Sequence, residues 1–105
     1  MTNRRLASAA KQMADDLWQQ RSKITDTMVD LINRGRVLDI WFADFGYEKT
    51  VRSLNLRIHY LELAAIHLSH SDRPGRMEEI LQDFRRSPYF SAAEPDFQRL
   101  LLTPV

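Results

Sequence analysis

Residues 47–69 read YEKTVRSLNLRIHYLELAAIHLS. Within this stretch Tyr47, Val51, Leu54, Ile58, Leu61, Ala65 and Leu68 recur at alternating spacings of four and three. An α-helix turns once every 3.6 residues, so this spacing lines the seven side chains along one flank. It therefore predicts a long helix with an apolar seam. Val51, Leu54, Ile58, Leu61, Ala65 and Leu68 are expected to pack as core or as a dimer interface. Leu56, Tyr60, Leu63, Ala64 and Ile66 widen the apolar surface, so this helix is expected to be contacted from several sides.

Toward the N-terminus, a second long segment runs from about Asn3 to Arg34. Leu6, Ala10, Met13, Leu17, Ile24, Met28 and Leu31 form its apolar stripe, interrupted at Gln20. Thr2 or Asn3 can cap its start, and Gly35 can take the left-handed conformation that ends a helix. Between the two long segments, Val37, Leu38, Ile40, Trp41, Phe42 and Phe45 fit either two helical turns or a short strand, bounded by Gly35 and Gly46; the i, i+4, i+8 placement of Val37, Trp41 and Phe45 favours a short helix. Beyond the breakers Ser71–Gly75, Met77, Ile80, Leu81 and Phe84 stripe one face of a helix ending near Arg86. After Ser87-Pro88, the tail holds Tyr89, Phe90, Phe97, Leu100, Leu101 and Leu102, and Pro95 can start a last helix at about Asp96. The expected fold is all-α: one domain over residues 1–105, with two long antiparallel helices and two or three short ones.

Length adds a constraint. A compact domain of this size has a radius of gyration of about 13 Å, which is roughly 33 Å across. A 30-residue helix is about 45 Å long. Part of the first segment should project, and its apolar stripe continues to both ends. A helical bundle completed by dimerisation would cover that stripe. The alternative is a break near Arg21-Ser22, in the polar gap.

Composition narrows the chemistry. Of 105 residues, 44% are hydrophobic and 28% charged, enough to bury a core. Fifteen Lys and Arg face 14 Asp and Glu, a net charge of +1 that does not mark a phosphate-neutralising protein. The absence of cysteine excludes disulfides, Cys-ligated zinc, iron–sulfur clusters and thiol catalysis. The most apolar run, Leu61–Leu68, is broken by Glu62 and His67 and falls short of the ~20 residues of a spanning helix. The N-terminal residues lack the apolar run of a secretory signal. A soluble, cytoplasmic chain with no membrane partner is expected.

No catalytic, cofactor or metal site is expected. His59, His67 and His70 fall on or after the third segment, but His59 and Glu62 point away from one another and from His67 on a helical wheel. Asp15-Asp16 and Glu78-Glu79 are neighbours that point about 100° apart on a helix, so neither pair makes a dyad. Asp39 and Asp44 flank Trp41 and Phe42 and read as surface acids. No serine sits in a nucleophile elbow. Arg34, Arg36, Lys49, Arg52 and Arg57 raise direct DNA binding as an alternative, yet Arg52 and Arg57 do not share a face. Nucleic acid is not the expected partner.

Apolar interaction surfaces remain. Two Trp, three Tyr, five Phe and four Met in a small chain favour protein binding. The candidate partner-binding residues are Leu17, Trp18, Ile24, Met28 and Leu31, with Trp41, Phe42 and Phe45 as a second patch. The overall format is about 100 residues without cysteine, with a very long N-terminal helix and a Leu/Met/aromatic stripe. It resembles small helical bacterial anti-activators that restrain quorum-sensing transcription factors, and also small helical secretion-system chaperones. The first resemblance implies a homodimer that sequesters a transcriptional regulator by covering that regulator's own apolar dimerisation surface.

Overall fold

The first helix begins where the sequence places its cap. In the computed structural model, which describes residues 2–35 and 37–102 with side chains at 2–35 and 46–102, α1 spans Asn3–Asn33. The Thr2 hydroxyl accepts the Arg5 N–H at 3.2 Å and so satisfies one of the unpaired donors of the first turn. The helix does not break near Arg21: the Thr25 hydroxyl donates to the Arg21 carbonyl at 3.0 Å and the turn continues. It ends at Gly35, whose φ of +68° is the left-handed conformation that glycine reaches without a Cβ penalty.

One expectation is corrected in the next element. Val37–Phe45 is not a separate helix and Gly46 is not a breaker, because α2 runs unbroken over Val37–Ser69. A lone glycine inside a helix costs only about 1 kcal/mol relative to alanine, which the packing of a helix this long readily offsets. A Cβ at Gly46 would meet nothing within 4 Å. Gly46→Ala should therefore raise stability by about 0.4–1 kcal/mol; an unchanged or lowered midpoint in urea would show that the helix bends there.

Helices α1 and α2 form an antiparallel hairpin. The Asn3 amide donates to the Ser71 and Arg73 carbonyls at 2.8 and 3.0 Å, Trp18 reaches Glu62, and Met28 shares a cleft with Tyr47. Ala10, Ala14 and Ala64 are fully buried in the core, small enough for two helices to approach closely. Helix α3 spans Arg76–Arg85, a 3₁₀ turn Pro88–Ala92, and α4 Glu94–Leu101. These elements lie against one end of the hairpin around Tyr60, Phe84, Phe90 and Phe97, whose neighbouring rings stand 5.0–5.8 Å apart. The Tyr60 hydroxyl donates to Ser87 at 3.0 Å, so this buried ring keeps its polar end paired.

The contiguous core reaches Leu17 on α1 and Leu54 on α2, with Ile24 at its margin. Beyond it the hairpin continues as a two-helix arm. The chain measures 54 × 25 × 21 Å, with a radius of gyration of 16.6 Å. The length conflict is thus resolved by shape. Alpha-helix α2 covers the stripe of α1 within one chain, so Leu6, Ala10, Leu17 and Met28 are buried without a second copy. Among the described residues there is no strand, and no helix is long and apolar enough to cross a membrane.

Candidate protein-interaction site

The seam of α2 faces α1. Leu54, Ile58, Leu61 and Leu68 are buried there, and Val51 and Ala65 are half-buried. The residues expected to bind a partner divide three ways. Leu17 and Met28 are buried between the helices, and of the two only Met28 borders an open cleft. Ile24 and Leu31 are half-buried, and Trp18 is 43% exposed. Trp41, Phe42 and Phe45 lie outside the described side chains.

Two open apolar surfaces result. The first is a cleft on the arm lined by Ile24, Thr27, Met28, Gly46, Tyr47 and Thr50. Thr50 stands one heptad before Arg57, on the row of α2 that meets α4, so the cleft opens on the α4 side of the hairpin. It begins where the core ends, and the segment carrying Trp41, Phe42 and Phe45 leads directly into it along the chain.

The second surface is on the opposite side. Ile66 lies nine residues from Arg57, about 180° around α2. There Ala7, Ser8, Lys11, Glu62, Ala65, Ile66 and Ser69 line a shallow groove of about 360 Å³. Trp18 continues this flank along α1. Its indole N–H donates to Glu62 Oε1 at 2.8 Å, and the Arg21 guanidinium lies 4.6 Å from the ring centroid. Val29 and Ile32 stand farther along α1, 49% and 58% exposed, and Ile66 is 54% exposed. Sequence reading missed Val29, Ile32 and Ile66 as surface residues. The spacing of Val29 and Ile32 from Trp18 along α1 carried the signal for those two, one row away from the Leu17 stripe.

Of the basic residues raised for DNA binding, three are held by carboxylates. Arg34 meets Asp30 at 3.0 Å, Arg52 meets Glu48 at 2.8 Å, and Arg57 is gripped by Asp96. Asp96 is 1% exposed and accepts Arg57 Nε at 2.7 Å and Nη2 at 2.8 Å, and Arg99 also bonds it. The hydrogen bond that Arg57 donates to Asp96 raises its guanidinium above the ordinary arginine pKa, against a smaller opposing effect of burial. This pairing of α2 with α4 was not read from the sequence. His59 packs edge-on against Tyr60, and among the described residues no group of three or more His, Asp or Glu is arranged to hold a metal ion.

Comparison of the chain with protein-family models, with curated proteins and with solved structures finds no match.

Proposed function

We propose that this chain is a small cytoplasmic protein-binding regulator that acts as a homodimer and sequesters a partner protein, a transcription factor in the anti-activator manner. The observation that supports this reading is the arm cleft of Ile24, Met28 and Tyr47, an apolar recess lying past the end of the core. An amphipathic helix of a regulator fits such a recess by laying its apolar face between the two helices of the arm. Trp41, Phe42 and Phe45 supply further aromatic residues next to the cleft along the chain, the residue type that dominates binding energy at interfaces. Burial alone suffices for inhibition: a regulator whose dimerisation helix is covered cannot pair on its operator. Carboxylate pairing of Arg34, Arg52 and Arg57 lowers the net positive charge that direct DNA binding would use.

Affinity capture from the host, comparing the wild type with Ile24→Asp, tests the reading. A DNA-binding regulator should be recovered by the wild type and at least tenfold less by the variant. Equimolar chain should then release that regulator from its operator in a gel-shift assay, and the variant should not. The reading fails if the captured protein keeps its operator in the presence of the chain, or is an exported protein that the chain merely protects. It also fails if the chain itself binds DNA with an affinity that collapses between low and moderate salt.

A further inference from the structure

On one flank of α1 a buried alanine and an exposed valine stand equidistant from the partly exposed Trp18. Trp18 is the midpoint of α1, which spans Asn3–Asn33. Ala7 lies eleven residues before it and Val29 eleven residues after it. Eleven residues complete three turns with a drift of about 20°, so all three stay on one flank, about 16 Å apart. The two ends differ in shape. At Ala7 the small side chain opens the groove bordered by Lys11, Glu62 and Ile66. At the other end Val29 and Ile32 protrude.

We propose that a second copy of this chain docks on this face, antiparallel, with the two-fold axis at Trp18, so that Val29 and Ile32 of each copy enter the groove beside Ala7 of the other. The inference rests on the homodimer part of the proposed function and assigns that dimer a face. A two-fold axis brings a surface against itself, and a recess and a protrusion equidistant from the axis are what such pairing needs. Area supports the same occupant. The whole side of the molecule that carries this face, polar positions included, is 54 Å long and about 20 Å wide at about 10 Å per helix, a projected area of roughly 1,000 Å². A standard interface needs about 800 Å² per partner. Burying Trp18 leaves no unpaired donor, because Glu62 already accepts its N–H. The docked pair becomes a four-helix layer, and the arm cleft stays open on the far side of each copy for the regulator.

Because the chain has no cysteine, introduced thiols report cleanly. Lys11 and Thr25 are each seven residues from Trp18 and would face each other across the axis. A mixture of Lys11→Cys and Thr25→Cys chains should give a crosslinked dimer with a short bis-maleimide, whereas either variant alone should give at least tenfold less. Light scattering of the wild type should report about twice 12.3 kDa. The double variant Val29→Asp/Ile32→Asp, altered only at half-exposed positions, should be monomeric with unchanged helical circular dichroism. A dimer that crosslinks through Lys11→Cys alone, or that survives the double variant, overturns the face while leaving the homodimer in place. A monomeric wild type at tens of micromolar overturns the homodimer and this inference together, and leaves the cleft to its own test with Ile24→Asp.

Discussion

Leu61→Ala should lower the unfolding free energy by about 2–5 kcal/mol, a large share of the 5–15 kcal/mol that a domain of this kind possesses. Leu61 is fully buried at the centre of the α2 seam, one turn from Ile58 and two from Leu54, both also buried. Truncation removes apolar contact and leaves a cavity that two long helices cannot collapse around without shifting as rigid rods. Ile58→Val, which deletes a single methylene, should cost only about 0.5–1.5 kcal/mol. Urea unfolding at one fixed protein concentration checks both, since the proposed dimerisation would make the midpoint depend on concentration. A loss below about 1 kcal/mol for Leu61→Ala would show that the α1–α2 seam is not where the chain keeps its stability.

The seam itself is legible in the sequence because heptad spacing over Tyr47–Leu68 has one physical reading, a helix flank that something covers. What covers it is not legible. A stripe of Leu6, Ala10, Leu17 and Met28 looks the same whether a second chain or the neighbouring helix lies on it, and here it is α2 of the same chain. The length argument pointed to a projecting helix because it assumed a roughly spherical domain. The protein instead becomes elongated, and both long helices run side by side. Gly46 misled for a related reason. Local propensity separates Val37–Phe45 from the seam, whereas the penalty for one glycine is small beside the packing of a helix of this length.

The surfaces were legible to about one helical row. Trp18 stands out in the sequence, but the stripe drawn through Leu17 runs beside the exposed row that joins Trp18 to Val29. Neighbouring rows on a helix differ by 100° per residue, and only the position of the covering helix decides which one faces water. Ile24 and Leu31 keep partial exposure because the core stops short of the arm, a consequence of how far α3 and α4 reach that no local pattern records.

Asp96 follows Pro95 in the first turn of α4, where an acid ordinarily needs no more explanation than the positive end of the helix dipole. In the fold its carboxylate is buried and accepts from Nε and Nη2 of Arg57, 39 residues away on α2. Asp96→Ala should cost about 3 kcal/mol, the low end of the range for breaking a buried pair. The low end applies because Arg57, 26% exposed at its side chain, and Arg99, 64% exposed, can turn toward water once the carboxylate is gone. Asp96→Asn keeps the shape and one acceptor, and should fall between the wild type and the alanine variant. Asp96→Leu combined with Arg57→Met should recover most of the loss, since apolar replacement of a buried ion pair is often neutral. Denaturation of Asp96→Leu, Arg57→Met and the double variant gives the coupling directly. Additive losses would mean that the pair does not fasten α4 to the hairpin, and that the aromatic cluster of Phe84, Phe90 and Phe97 holds the C-terminal elements by itself.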